Sequence, residues 1–147
     1  MSDRIALLRH GRLEQVAPPQ EIYQRPTTTY VASFIGQSNL LRCEVRSGLA
    51  ACGALQFRTS LRDGAATFSL RPEAIQLASK FAATDEFCRF RATIKDQSFQ
   101  GATTSLRLNC GDLPLTARVA GTTALGGDQE FAFRAADVVP VRESEGD

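Results

Sequence analysis

The hydrophobic period of this chain changes once, at Gly36, and that change limits what the chain can fold into more than any other feature. Beyond Gly36 the period is two. Cys88, Phe90, Ala92 and Ile94 alternate with Arg89, Arg91, Thr93 and Lys95, and Leu106, Leu108 and Cys110 alternate with Ser105, Arg107 and Asn109. Leu113, Leu115, Ala117 and Val119 repeat the pattern, as do Phe131 and Phe133. Strict alternation sends one side of a strand to the core and the other to water. Turn residues at Asp63-Gly64, Gly111-Asp112 and Gly126-Gly127-Asp128 separate the runs. Many short strands joined this way predict a mainly β fold, a small barrel or sandwich.

Before Gly36 the reading is different. The apolar runs Arg4–Arg9 and Arg12–Val16 flank His10-Gly11, a pair suited to a hairpin turn with positive φ. Pro18-Pro19 ends the second strand, and Pro19–Tyr23 starts a short helix with proline in its first turn and Glu21 near its positive end. Pro26 stops it. Thr27–Thr29 cap a second helix whose Tyr30, Val31, Phe34 and Ile35 share one face, with Gly36 closing the C-terminus. The expected organisation is therefore a hairpin-plus-helices unit over 1–36, a β domain over 37–142, and a frayed acidic tail over 143–147.

Composition removes several function classes. With 147 residues, 43% hydrophobic and 22% charged, the chain has room for one globular domain and a short appendage. No apolar run approaches the roughly 20 residues needed to cross a bilayer, and no signal-peptide core follows Met1, so a cytoplasmic protein is expected. Cys43, Cys52, Cys88 and Cys110 are scattered and His10 is the sole histidine; the cysteines read as buried thiols and no metal site is expected. A Ser/His/Asp or Cys/His site would need His10, which the hairpin tip already employs. The pair Asp85-Glu86 reads as adjacent surface charge.

Gly121–Gly126 has the glycine spacing of a phosphate loop, yet Gly127-Asp128 stands where Lys and Ser or Thr are required. No catalytic or cofactor-binding residue is expected. Net charge is +1 with basic residues dispersed, which argues against a nucleic-acid footprint. An OB-type barrel stacking bases on exposed aromatics stays open as an alternative, as does a free-standing small-anion binder; only Phe99 lies in a polar stretch, since Phe90, Phe131 and Phe133 fall on the apolar phase.

Three sets of residues are candidates for recognition. Arg71 and Glu73 fit either a regulatory contact or a proline-fixed corner with a local Arg-to-Glu pair, and the corner is the simpler reading. Asp96, Gln97, Phe99 and Gln100 fit a ligand or dimer surface, or equally a bulged strand end stopping at Gly101. Gly36 and Asn39 mark the domain junction, where the Asn39 amide can tie the linker to the barrel.

The ordered run from Ser2 to Leu41 resembles the end of the nucleotide-binding domain in bacterial ABC importer ATPases of the polyamine, ferric iron, sulfate and maltose group. Asn39 to Val141 resembles that family's accessory domain, the transport-associated OB or TOBE domain, through Ser69–Glu73, Asp96–Thr103 and Phe131–Val138. Ala17-Pro18 and His10 depart from the family's pattern at local turns only. The resemblance implies an OB-type barrel that does not hydrolyse ATP, pairs with its twin as a homodimer, and in some members senses substrate or a regulatory protein. It further implies a parent that binds ATP and Mg, sits with transmembrane permease subunits at the inner face of the membrane, and carries its switch histidine upstream of Met1. The Phe99-Gln100-Gly101 run and short length lean toward the polyamine, iron or anion branch.

Overall fold

A computed structural model describes residues 3–82, 84, 86–121 and 125–144. The chain opens on the expected hairpin, β1 (Ile5–Arg9) and β2 (Arg12–Ala17). His10 and Gly11 take φ of 50° and 76°, the paired positive values that a two-residue hairpin turn requires. Helix α1 (Pro19–Gln24) follows with proline in its first turn, then α2 (Thr29–Phe34), whose first turn is capped by Thr28 Oγ1 accepting from Val31 N–H at 3.2 Å. Leu7, Ala17, Ile22 and Val31 bury against one another as a small separate core, with Ile5, Tyr30 and Ile35 packed on it.

The strands after Gly36 are β3 (Asn39–Arg46), β4 (Leu49–Cys52), β5 (Leu55–Arg58), β6 (Gly64–Leu70), β7 (Gln76–Leu77), β8 (Phe87–Gln100), β9 (Thr103–Cys110), β10 (Leu113–Ala120), β11 (Asp128–Arg134) and β12 (Val138–Val141). They form two antiparallel five-stranded sheets, ordered β12-β6-β3-β4-β5 and β10-β9-β8-β11-β7. The sheets curl around one shared core in the manner of an OB-type barrel. Leu41 and Val45 from β3, Phe57 from β5, Phe68 from β6, Leu106 from β9 and Phe133 from β11 all belong to it. Phe57 meets Phe68 edge-on with centroids 4.9 Å apart. The period-two reading holds at side-chain level, since Leu106 is buried and Arg107 exposed.

Two carboxamides close this barrel by imitating backbone. Asn39 Nδ2 donates to the carbonyls of Leu70 and Thr116, and its Oδ1 accepts from Thr116 N–H at 2.8 Å. A β3 side chain thereby joins β10 of the other sheet. Gln76 on β7 donates to Arg118 O at 2.8 Å and accepts from Ala120 N–H, so the two ends of the second sheet meet through its amide. Gly111, between β9 and β10, has φ of +61°, and a Cβ there would lie 2.9 Å from Ala54 Cβ, so neither the turn nor the space admits a side chain.

Two expectations change. Glu143 and Ser144, assigned to the frayed tail by charge alone, are tied down: Glu143 accepts from Thr67 Oγ1 and Arg42 Nε, both at 2.9 Å, and Ser144 meets the start of α2. The face expected to unite Tyr30, Val31, Phe34 and Ile35 is not covered throughout either, since Val31 is buried and Phe34 exposed. Leu7 and Ile22 are buried within the unit, whereas Leu8, Leu13 and Phe34 are each 60% exposed and Val16 is also exposed. Leu7 and Leu8 take opposite faces by ordinary alternation, and the extra residue Glu14 opposite them turns Leu13 to the same side as Leu8.

Candidate functional site

The strongest concentration of charge and directed hydrogen bonding lies in the seam between the helices and the barrel. The end of β6 delivers Arg71 into it, and a 3-10 turn at Pro72–Ala74, started by the fixed φ of proline, aims the following residues along it. Arg71 is buried. Its Nη1 donates to the carbonyls of Ala32, Gly36 and Gln37 at 2.9, 3.2 and 3.1 Å, while Nε and Nη2 both donate to Tyr23 O at 3.2 and 3.0 Å. The guanidinium also lies over the Tyr23 ring, 4.4 Å from its centroid. These carbonyls lie in or beside the last turns of α1 and α2, where helices leave carbonyls without internal partners and where positive charge is favoured.

Glu73 does not pair with Arg71 as a local corner. It accepts from the Tyr23 hydroxyl and lies 3.9 Å from Arg118 of β10. Burial, and after it the hydrogen bond to Glu73, push the Tyr23 phenol above its ordinary value. Burial also lowers the Arg71 pKa, with Tyr23 and then Glu73 acting in the opposite sense. A cleft of about 390 Å³ opens beside this network, lined by Tyr23, Arg25, Arg71, Glu73, Asp137 and Val139.

The barrel touches α2 at its other end too. Arg142, just past β12, exchanges main-chain bonds with Thr27 and Thr29 at 2.9 Å, and Ser144 Oγ accepts from Tyr30 N–H at 2.8 Å. Sequence reasoning identified Arg71, Glu73, Gly36 and Asn39 but missed Tyr23, Arg142 and Ser144. No spacing signal links Tyr23 to Arg71, which are 48 positions apart. Gly36 contributes its carbonyl to Arg71, and Asn39 works on the barrel side of the junction.

The second candidate group stays apart from this seam. Asp96 follows a bulge in β8 and lies 3.8 Å from exposed Arg107. Gln97 is engaged with Leu125, donating to its carbonyl at 2.8 Å and accepting from its N–H at 3.1 Å. Phe99 and Gln100 occupy the tip of the β8–β9 hairpin, with Phe99 53% exposed. The bulged-strand reading describes this region, and a single exposed ring remains available for contact.

The residues present do not fit ATP and Mg. The glycine-spaced stretch joins strand β10 to strand β11 rather than a strand to a helix; Gly127 stands where a phosphate loop needs lysine, and Asp128, where it needs Ser or Thr, accepts from the Thr93 hydroxyl. Thr122–Ala124 and Asp85 lie outside the described residues. Among the described residues no group of three or more His, Cys, Asp or Glu could hold a metal ion. Cys43, Cys52 and Cys110 are free and buried; burial pushes the Cys43 thiol up to about 12 and Cys88 to about 11, values that make poor nucleophiles. No helix among the described residues is long and apolar enough to cross a membrane.

Residues 68–141 match the family described as TOBE domain. The chain is 36% identical over 136 residues to the spermidine/putrescine import ATP-binding protein PotA 1 of Pseudomonas aeruginosa, covering 84% of this chain and 36% of that protein. It is 37% identical over 139 residues to the sn-glycerol-3-phosphate import ATP-binding protein UgpC of Rhizobium meliloti, covering 92% of this chain and 38% of that one. It is 32% identical over 142 residues to the sulfate/thiosulfate import ATP-binding protein CysA of Caulobacter vibrioides, covering 94% and 40%. The chain thus spans well under half the length of these relatives, and the similarity runs across the hairpin and helices as well as the barrel. The matched residues begin in β6 at the strand that delivers Arg71 and run to the end of β12 at the seam's other side: the chain belongs to the TOBE domain family of ABC importer ATP-binding subunits.

Proposed function

We propose that this chain serves as the regulatory β-domain of an importer's ATP-hydrolysing subunit, joined to the closing hairpin and helices of its nucleotide-binding domain. The observation that carries the reading is the seam. Arg71 and Arg142 tie the barrel to both ends of α2, and the hairpin face turned away from the helices presents Leu8, Leu13 and Val16 to solvent. A body of catalytic protein docked on that outer side would feel the barrel through the helices. In this role the chain itself neither binds nor hydrolyses ATP; ATP and Mg belong to the parent subunit, whose partners are permease subunits and a second copy of itself at the inner face of the membrane. A small molecule or regulatory protein that favours one arrangement of the paired barrels would bias the ATPase by its difference in affinity for the two arrangements. The relatives carry polyamine, glycerol phosphate and sulfate in their names at comparable identity, so similarity at this level follows architecture rather than cargo.

A chimaera tests the reading. The corresponding tail of the Pseudomonas aeruginosa relative is replaced by this chain, and nucleotide binding, ATP hydrolysis and uptake are measured in the assembled transporter. Retained ATP-dependent uptake is expected. A chimaera that folds and binds nucleotide but has lost uptake overturns the proposal, as does micromolar ATP binding by the chain alone in calorimetry.

A further inference from the structure

Helix α2 is only six residues long, and α1 no longer. Isolated helices below about 12–15 residues are marginal in water, so something outside these segments holds them. The small core supplies Ile22 and Val31. The polar ends are satisfied differently. At the N-terminal end Thr28 supplies a local cap, but the next free N–H, that of Tyr30, donates to Ser144 Oγ, whose own N–H donates back to Thr29 Oγ1 at 3.0 Å. At the C-terminal end there is no basic residue in the last turn of either helix. The positive charge and donors come from Arg71, which reaches Ala32, Gly36 and Gln37 around the end of α2 and Tyr23 in the last turn of α1. Both ends of α2 are therefore capped by groups that follow it by 39 and 114 positions and belong to, or come just after, the barrel.

We infer that the seam is an order–disorder clamp in which Arg71 is the positioning residue: the barrel holds α1 and α2 helical only while it is seated against them. A guanidinium fork has to sit within hydrogen-bond reach of carbonyls from two helices at once, so a displacement of the barrel by one bond length forfeits the set together. The helices then lose their C-terminal partners while the barrel, whose core contains no residue of the front unit, keeps its own. Position of the barrel is converted into order of α2, which carries exposed Phe34. The clamp rests on geometry alone; only its use in signalling rests on the importer reading.

Hydrogen exchange on the intact chain tests it. Arg71→Met is expected to raise exchange of the Arg25, Ala32 and Ile35 amides, which bond within α1 and α2, by roughly tenfold or more, and to leave the Leu106 and Leu108 amides of β9 unchanged. Arg71→Lys restores protection in part, because an ammonium keeps the charge but not the planar fork. Ser144→Ala acts in the same direction at Tyr30. A rise that spreads equally into β9, including outright unfolding of the Met variant, overturns the inference by making Arg71 a general stabiliser, and so does unchanged exchange in the helices. A failed chimaera with a localised rise overturns the importer reading and leaves the clamp standing; a working chimaera with a uniform or absent rise does the reverse.

Discussion

In the barrel, Leu41, Phe68, Leu106 and Phe133 are each at most 1% exposed, and the cluster they belong to is drawn from strands and connecting turns of the same domain. The hairpin-helix unit buries Ile22 and Val31 equally well, yet Leu8 and Leu13 on the hairpin and Phe34 on α2 remain 60% exposed. Both regions use the same device for polar closure, a carboxamide standing in for backbone: Asn39 bridges β3 to β10, and Gln15 accepts from Thr27 N–H and donates to Arg25 O. The difference lies in what surrounds the device. Around Asn39 are two complete sheets; around Gln15 is a thin layer with one face open. The barrel is a finished object, and the front unit is half of one, completed from behind by Arg71 and Ser144.

The largest effect separates two neighbours on β9. Leu106→Asp places a carboxylate in the shared core without a partner, a cost of several kcal/mol against a typical total of about 5–15 kcal/mol. Loss of the cooperative melt is expected. Arg107→Asp, exposed and near Asp96, should change stability by about 1 kcal/mol or less. Circular dichroism melts that coincide for the two variants would show that β9 does not hold this register.

Carboxamide removal comes next in size. Asn39→Ala strands both polar groups of Thr116 and weakens the bonding of Leu70 O, so a loss of about 2–3 kcal/mol is expected from urea midpoints. Gln15→Ala leaves groups in a loop that water reaches, and about 1 kcal/mol or less is expected. Equal losses would erase the contrast between a finished domain and a half-built layer.

The alternation of β8 to β11, the His10-Gly11 turn and the Thr28 cap were all legible in the sequence because each depends on neighbours within a few positions. Arg71 could be identified as notable but not understood. Its local partner by spacing was Glu73, whereas its actual carbonyls lie 34 to 48 positions back, a relation only the folded chain creates. Ser144 lay within an acidic tail whose composition says solvent, and nothing local marks it as a cap for Tyr30. The Leu7/Leu8 slip hid in the hairpin for the same reason: alternation alone gives no sign of an extra residue opposite.

Alkaline titration probes the barrel with a smaller effect. Burial, then the proximity of Cys52, holds the Cys43 thiol up at about 12 against 9 for an ordinary thiol. Above pH 9 the unfolded chain gives up this proton while the folded one keeps it, so the stabilisation is fully present below 9 and is lost as pH rises from 9 toward 12. Cys43 is expected to contribute a decline of about 1 kcal/mol over the first pH unit of that window, which Cys43→Ala should remove while the share from Cys88, held at about 11, stays. Just past β12 the sign is opposite. The Thr67 hydroxyl, then Arg42, holds Glu143 below 4.5, so its contribution is present above 4.5 and fades on acidification. The buried core and the Glu143 tie should therefore loosen at opposite ends of the pH range, read by exchange at Leu106 and at Ser144; loss at the same end breaks that distinction.

The smallest expected change in stability belongs to the open face itself. Leu8 and Leu13 face each other across the hairpin register with most of their surface in water, so Leu8→Ser combined with Leu13→Ser removes little burial and should shift the melt by about 0.5 kcal/mol or less. Association is where the pair should matter. The intact chain is expected to sediment as a dimer at high micromolar concentration, because the hairpin is a two-stranded sheet with unpaired edges and an apolar side, the combination that recruits a second chain. The double variant should weaken that dimer at least about tenfold, the equivalent of 1.4 kcal/mol. Phe99→Ser, at the barrel's hairpin tip, should weaken it less, since one ring offers a smaller apolar area than the Leu8, Leu13 and Val16 face. The reverse ranking would place pairing on the barrel and leave the open face for a different body, the catalytic domain it is proposed to join. A chain that sediments as a monomer throughout would remove self-association from both regions.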